Sequence, residues 1–313
     1  MKVCSLFAGS GGIDIAFEQA GFDVIWANEF DADACKTYRL NFPDVFLSEK
    51  DIRKVDASDI PCFDVLIGGF PCQPFSIMGK KQGFSDDRGN LFFEICRIID
   101  YHKPSVVFLE NVANLVYHDN GKTIRVIMSE LLKRGYFIKH TVIDACNYGM
   151  AQHRTRTYIV CFRDSSIAER FEFPKPSCKI MVIKDIINSH ILADKALYFE
   201  KGTEKYCRLE KFIDDEDQLY RFSDYGIQKS KDGISFTLKA NMGTWYDREP
   251  IIKDDFGIRK LSPNECFALQ GYPMTFDLTG IPVRSAYKQA GNTVCVPVVK
   301  SIADEIMRVL LNV

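Results

Sequence analysis

Short apolar runs alternate with amphipathic segments through the first half of this chain. The runs predict buried strands, and the segments between them carry apolar residues at helical spacing. Predicted strands cover 2–7, 22–27, 63–67, 105–109, 137–143 and 157–162, and predicted helices cover 13–20, 31–40, 91–101 and 123–133. Because strands that alternate with helices form βαβ units, we expect an α/β fold with a doubly wound, mostly parallel sheet and the strand at 157–162 at its far edge.

The alternation of strands and helices ends near residue 176. A short helix is predicted at 182–187, and residues 189–257 form short mixed segments rich in Asp, Lys and Gly, which predict an irregular, β-rich unit. Helical patterning returns at 262–270, where Ser262 and Pro263 suit the cap and the first turn, and again at 297–311. We therefore expect a large domain from residues 1–188 and 285–313, and a second, smaller domain with its hinge over 189–284.

Composition narrows the class of protein. The chain has 313 residues and a net charge of −2, whereas proteins that bind nucleic acid usually carry an excess of basic residues. A basic cleft can still exist in a protein whose total charge is slightly negative. No apolar run reaches the roughly 18 residues of a membrane span, and the first glycine loop comes too early for a signal peptide. The 11 cysteines include no CxxC pair, so we expect no metal site and no membrane partner, and a cytoplasmic location with free thiols.

The segment GGFPCQPFS, residues 68–76, carries the most informative chemistry. It follows the apolar run at 63–67 and places Cys72 where a buried strand opens into a loop. Open α/β sheets have their ligand sites at the carboxyl ends of the strands. Because Pro71 and Pro74 stiffen the backbone on both sides of the thiol, the sequence predicts one sulfur held at the mouth of a cleft.

A second chemical signal is the glycine turn FAGSGG, which lies between a predicted strand and a predicted helix. It is neither GxGxxG nor a GK[ST] loop, which weakens the dinucleotide and triphosphate hypotheses. The helix N-terminus after the turn favours an anionic group such as a carboxylate. Glu29 lies at the end of the second strand, where an acid commonly binds ribose hydroxyls. Asp51 is placed to bind an adenine edge. S-adenosylmethionine offers all three groups, but a bare glycine turn is often only a turn.

Seven motifs in order give the chain a family resemblance. They are FAGSGG, GGFPCQPFS, DDRGNLFFEI, ENV, QHRTRTYIV, RKLSPNECFALQGYP and AYKQAGNTV. The set resembles the cytosine-C5 DNA methyltransferases of bacterial restriction–modification systems over roughly the first 165 and the last 55 residues. The resemblance implies an S-adenosylmethionine-dependent methyltransferase fold, with the large domain catalytic and cofactor-binding and residues 189–284 as the target-recognition domain. It also implies duplex DNA as substrate, a monomer, and a separately encoded restriction endonuclease as partner.

The same resemblance assigns catalytic roles. Cys72 matches the nucleophile that adds to cytosine C6, and Glu110 matches the acid that binds N3 and the exocyclic amine, for which a raised pKa is expected. Arg156 matches the residue that holds cytosine O2, and Arg154 matches one that positions the catalytic loop or backbone. The predicted cofactor residues are Phe7, Ala8, Gly9, Gly11, Gly12, Glu29, Phe30, Asp51, Ile52, Pro71, Leu91 and Asn292.

Two further segments are expected to contact DNA. The target base must be flipped out of the duplex, and the glycine-containing loop 76–90 resembles the mobile catalytic loop of the family, with Met78 near the vacated stack. Thr237 and Leu238 match the threonine-leucine core of a target-recognition domain. The predicted DNA contacts are Ser76, Met78, Lys80, Lys81, Arg88, Thr237 and Lys239.

Two other functions fit the same motifs. One branch of the family methylates tRNA cytosine with similar motifs, and a catalytically silent, DNA-binding relative would also keep them. The long segment 189–284 and the complete loop 76–90 favour DNA methylation.

Overall fold

The fold was described from a computed structural model, over residues 1–71, 91–243 and 248–312. Its larger sheet contains β1 (Lys2–Leu6), β2 (Asp23–Asn28), β3 (Phe46–Ser48), β4 (Val65–Gly69), β5 (Val106–Val112), β6 (Phe137–Asp144) and β7 (Thr155–Phe162). The strand order is β3-β2-β1-β4-β5-β7-β6. The order reverses between β1 and β4, where ligand crevices form in open α/β sheets.

The described residues form nine helices, most of which pack on the two faces of this sheet. They are α1 (Gly12–Gln19), α2 (Ala32–Asn41), α3 (Leu91–His102), α4 (Lys122–Lys133), α5 (Ser165–Arg170), α6 (Glu204–Phe212), α7 (Pro263–Ala268), α8 (Val283–Asn292) and α9 (Val296–Leu311). Along β5, Val106 and Phe108 join a core with α1 and α9, whereas Val107 and Leu109 join a core with α3 and α4. Burial on both faces explains why the strands are continuous apolar runs, and the expected doubly wound α/β fold is confirmed.

The position of β7 differs from the expectation that 157–162 lies at the far edge. β7 runs antiparallel between β5 and β6, so β6 is the edge strand. The burial of the two strands gives the reason: the last six residues of β7 are buried and, apart from Thr157, apolar, whereas most of β6 is partly or fully exposed. An edge strand tolerates such exposure, and a central strand does not.

A second, antiparallel sheet lies within residues 189–284. It contains β8 (Tyr220–Ser223), β9 (Gly226–Lys229), β10 (Ile251–Asp254) and β11 (Gly257–Lys260), in the order β11-β10-β8-β9. α6 packs on this sheet through Tyr206 and Leu209. Leu219, Leu238 and Ile252 belong to the same buried cluster as α1 and α9, so the core continues from one sheet to the other. The division into domains at 188/189 and 284/285 stays a prediction.

Three of the helices that the structure describes were not predicted from the sequence. α5 begins after Asp164, whose carboxylate accepts from Ser166 N and Ile167 N. α6 begins after Thr203, whose hydroxyl caps the backbone of Tyr206, and it lies in a region expected to be irregular and β. α8 follows Pro282 and contains the first seven residues of the AYKQAGNTV motif. Conversely, the helix expected at 182–187 is a single 3-10 turn, Ile183–Asp185. Across the parts of the chain that the structure describes, no helix combines the length and the apolarity needed to cross a bilayer.

Candidate active site

The glycine turn joins β1 to α1 beside the strand-order reversal. Gly11 has a φ of 80°, and a Cβ there would overlap the ring of Phe42, so this position requires glycine for its backbone and its packing. A Cβ at Gly12 would overlap the hydroxyls of Tyr272 and Thr293. Gly9 also has a positive φ, of 57°, but an added Cβ would meet nothing within 4 Å. The space beside Gly9 is therefore open to a ligand.

Glu29 follows β2, and its carboxylate is hydrogen-bonded to the glycine turn. One carboxylate oxygen accepts from Gly9 N at 2.9 Å, and the other accepts from the backbone N–H groups of Phe30 at 2.7 Å and Asp31 at 2.8 Å. A carboxylate has about four lone-pair sites, so three bonds leave one for a ligand hydroxyl. The Glu29 side chain thus fixes the turn and still has an acceptor to offer.

Asp51 lies three residues beyond the end of β3 and caps a 3-10 turn, Ile52–Lys54. It accepts from Arg53 N at 3.0 Å and pairs with the Arg53 guanidinium. That hydrogen-bonded guanidinium is the main reason why the pKa of Asp51 is lowered. Asp51 is therefore held ionised as an acceptor at the rim of the cavity.

These residues surround one cavity of about 700 Å³, a size typical of small-ligand sites. Every predicted cofactor residue except Gly11 lines it: Phe7, Ala8, Gly9, Gly12, Glu29, Phe30, Asp51, Ile52, Pro71, Leu91 and Asn292. Gly11 acts on the turn through its contact with Phe42 instead. Sequence patterns missed Asp31 and Lys288, which also line the cavity and form a 2.9 Å ion pair between α2 and α8. Only their positions in the fold bring them together.

The carboxyl group of Glu110 enters the same cavity from β5. Glu110 is 8% exposed, and Arg156 Nε lies 3.1 Å from its Oε1 atom. Burial raises the pKa of Glu110, while Arg156 and Arg154 oppose the increase. The structure therefore combines a buried acid that keeps its proton to higher pH with a guanidinium that orients it. This arrangement suits proton donation to a bound ring.

Arg154 is buried just before β7 and joins three segments. It is 1% exposed, and its guanidinium donates to the carbonyls of Leu238 at 2.9 Å, Gly291 at 3.0 Å and Thr293. Burial, followed by repulsion from Arg156, lowers the pKa of Arg154 to about 10. Its side chain therefore bonds backbone from the segment around 238 and from the end of α8, and it does not line the cavity.

The backbone beside Pro71 is fixed by Asn111. Asn111 is buried after Glu110 in β5, and its Nδ2 atom donates to the carbonyl of Phe70 at 2.8 Å. Pro71 lines the cavity and is followed in the chain by Cys72. Cys72 lies outside the described residues, as do the predicted DNA contacts Ser76, Met78, Lys80, Lys81 and Arg88. Their roles stay predictions.

The segment that contains Thr237 and Lys239 lies against β7 and α8. The Thr237 hydroxyl donates to the His153 carbonyl at 2.5 Å, and Lys239 is exposed. A Cβ at Gly291 would overlap the backbone at 239–240, and a Cβ at Gly243 would overlap the backbone of α8. The two backbones therefore approach as closely as glycine allows. DNA contact by Thr237 and Lys239 stays a prediction.

Gly291→Ala is expected to push segment 239–240 away from α8. We expect the free energy of unfolding to fall by about 1–3 kcal/mol, because the added methyl group overpacks a backbone contact. Urea unfolding measures the change. Ser285→Ala on the same helix is the control, since its hydroxyl accepts only a 3.4 Å bond from Gln289. Equal stability of Gly291→Ala and Ser285→Ala would contradict the close packing described here.

Comparison with known proteins agrees with this geometry. The family profile of the C-5 cytosine-specific DNA methylase matches residues 1–308. Type II methyltransferase M.Bsp6I of Bacillus sp. (strain RFL6) is 44% identical over 315 residues, covering 99% of this chain and 100% of its own. Type II methyltransferase M.HhaI of Haemophilus parahaemolyticus is 36% identical over 317 residues, covering 98% and 94%.

Solved structures support the same fold. A mutant of DNMT2 from Spodoptera frugiperda superposes with a TM-score of 0.75 at 19% identity, covering 98% of this chain and 99% of that one. The methyltransferase EhMeth of Entamoeba histolytica gives 0.74 at 19% identity, covering 100% and 98%. At such identities the likeness shows the fold alone. The family match over nearly the whole chain, together with the relatives above, confirms the resemblance: this chain belongs to the C-5 cytosine-specific DNA methylase family.

Proposed function

We propose that this protein transfers a methyl group from S-adenosylmethionine to C5 of a flipped-out cytosine in a specific short duplex DNA sequence. We place it in a type II restriction–modification system, as the names of its relatives suggest. The observation that carries the proposal is that Glu110 and Arg156 line the same cavity as the glycine turn and Glu29. One cavity therefore contains both the residues suited to bind the cofactor and the residues suited to bind a cytosine.

The residues of the cavity fit S-adenosylmethionine. The free acceptor position of Glu29 suits a ribose hydroxyl, and the open space beside Gly9 leaves room for the chain of the amino acid. Asp51 and Ile52 also line the cavity, and we assign the adenine to them. The bound cofactor supplies an electrophilic methyl group on a sulfonium. The acidic side chains Glu29, Asp31 and Asp51 favour its positive charge electrostatically.

The nucleophile in this proposal is the Cys72 thiolate. Its sulfur adds to cytosine C6, and the C5–C6 double-bond electrons then become available at C5, which is otherwise a poor nucleophile. After C5 has taken the methyl group, it loses its proton to a water molecule that acts as the base. The C6–S bond then breaks and returns the thiolate. Support from the described residues is that Pro71, the neighbour of Cys72, lines the cavity.

Glu110 and Arg156 act on the ring in this scheme. A protonated Glu110 donates to N3, which offsets the charge that develops when the sulfur adds at C6, and its other oxygen accepts from the exocyclic amine. Arg156 holds the Glu110 carboxyl group and supplies an N–H donor for O2. The raised pKa of Glu110 supports this role, since it keeps the proton on the acid. Arg154 positions backbone and does not touch the base.

Glu29→Ala is expected to weaken cofactor binding by roughly 10- to 100-fold, since a hydrogen bond to a charged group contributes about 1.5–3 kcal/mol. The variant removes both the ribose acceptor and the bond that fixes Gly9 N. Calorimetric titration with S-adenosylmethionine measures the dissociation constant. Glu49→Ala is the control, because Glu49 is an exposed acid after β3 that does not line the cavity. A normal dissociation constant in Glu29→Ala would remove Glu29 from the cofactor site.

Methyl transfer from tritiated cofactor tests the proposed function against its rivals. We expect incorporation into duplex DNA and none into tRNA. Incorporation into tRNA alone would identify an RNA enzyme, and DNA binding without incorporation would identify a catalytically silent relative. Bisulfite sequencing of the methylated DNA then gives the recognition sequence.

A further inference from the structure

Three potential metal ligands converge where β6 connects to β7. Asp144 ends β6, Cys146 lies two residues later, and His153 precedes β7. One ligand atom from each lies within 4.8 Å of the other two. His153 Nδ1 is 3.1 Å from Asp144 Oδ2 and 3.2 Å from Cys146 Sγ. None of the three lines the active-site cavity.

The geometry argues against a nucleophile triad. A cysteine–histidine–aspartate relay uses the two different ring nitrogens, one toward the thiol and one toward the acid. Here Sγ and Oδ2 both approach the same nitrogen, Nδ1. Three potential ligand atoms within 4.8 Å of one another are suited to binding a cation instead. In a tetrahedral zinc site, bond lengths of about 2.0–2.3 Å place ligand atoms roughly 3.3–3.6 Å apart, slightly more than the 3.1 and 3.2 Å that separate His153 Nδ1 from Oδ2 and Sγ.

The scaffold around these ligands is well fixed. The second carboxylate oxygen of Asp144 accepts from Arg154 N at 2.7 Å, and Ala145 N donates to the Arg154 carbonyl at 3.1 Å. His153 N donates to the carbonyl of Ser235 at 2.8 Å. These bonds orient the carboxylate and hold both arms of the connection in place. A ligand carboxylate whose second oxygen is hydrogen-bonded, as here to Arg154 N, is typical of the outer contacts around a bound metal.

We propose that Asp144, Cys146 and His153 bind a divalent cation of the zinc class, with a fourth position open to water. Thiolate, imidazole and carboxylate together select zinc over magnesium or calcium, which prefer oxygen ligands. The Cys146 thiol releases its proton to solvent when its sulfur binds the cation. His153 also forms backbone hydrogen bonds with Ser235 and Thr237. The cation therefore stabilises the connection between β6 and β7, against which residues 235–237 pack. The sequence did not predict this metal site, because its ligands form no CxxC pair.

Cobalt(II), a spectroscopic substitute for zinc, tests this site directly. We expect the chelator-treated full-length protein to bind one cobalt ion and to show a thiolate-to-cobalt charge-transfer band in the near ultraviolet. Cys146→Ser and His153→Ala are each expected to abolish the band and weaken binding by at least roughly 10-fold. Cys62→Ser and Cys178→Ser, which change exposed free cysteines elsewhere, and Cys72→Ser are expected to keep it. Zinc should displace the cobalt and raise the midpoint of thermal unfolding in the wild type but not in Cys146→Ser.

Three results would overturn the proposal. They are no stoichiometric binding by the wild type, a band that survives in either Cys146→Ser or His153→Ala, or a band lost equally in the control variants. The thermal unfolding midpoint measured without metal shows whether each variant is folded. His153 is suited to substitution because its side chain is 54% exposed.

Discussion

Cys72→Ser is expected to reduce methyl transfer by at least roughly 10⁴-fold, because an alcohol at this position cannot supply the thiolate that adds to C6. A thiol has a pKa near 8.5, so a useful fraction ionises close to neutral pH, whereas a serine hydroxyl does not. The substitution exchanges sulfur for oxygen and changes little else, so binding of DNA and cofactor should persist. Single-turnover transfer from tritiated S-adenosylmethionine measures the rate.

Trapping separates a nucleophile from a positioning residue. With 5-fluorocytosine at the target site and cofactor present, the C5 position has no proton to lose, so the C6–S bond cannot be broken by elimination. We expect the wild type and Cys62→Ser to form a denaturation-resistant complex with this DNA, because Cys62 is an exposed thiol outside the cavity. Cys72→Ser should form none. Turnover by Cys72→Ser, or a crosslink at another cysteine, would refute the covalent mechanism.

The sequence predicted best those features that depend on local patterns: the buried strands, the glycine turn and the acids near strand ends. β1, β2, β4 and β5 are apolar runs because both faces of a parallel sheet are buried, and their positions follow directly from the sequence. The glycine turn was also predictable, since the positive φ at Gly9 and Gly11 favours glycine. Glu29 follows β2, and Glu110 lies near the carboxyl end of β5. Because these strand ends share one edge of the sheet, the common cavity of the two acids could be expected from topology.

What the sequence could not supply depends on contacts between distant residues. The exposed positions along β6 are typical of an edge strand, but the partners of β7 are set by pairing with the distant strands β5 and β6. Ser10 bonds to Tyr272 at 2.9 Å across most of the chain, and Asp31 meets Lys288 in the same way. The burial of Arg154 also could not be predicted from the sequence. Its partners are backbone carbonyls, which every residue type provides.

Glu110→Gln is expected to lower kcat/KM by roughly 10²- to 10⁴-fold, the usual contribution of a positioned acid. Glutamine keeps the shape of the side chain and can accept a hydrogen bond from the exocyclic amine. It has no acidic proton to donate to N3, so the charge that develops in the ring is not offset. Steady-state kinetics on the cognate duplex measures the loss. Glu94→Gln is the matched control, since Glu94 also pairs with an arginine Nε, at 2.8 Å, but does not line the cavity.

The pH dependence distinguishes proton donation from simple positioning by Glu110. Burial raises the pKa of Glu110, so its protonated form persists to higher pH than in a free glutamate and disappears as the pH rises through that raised value. Wild-type kcat/KM should therefore fall over this window, whereas Glu110→Gln, which has no proton to lose there, should show no such fall. If Glu110→Gln kept the same descending limb, another group would be the acid, and Glu110 would only orient the base.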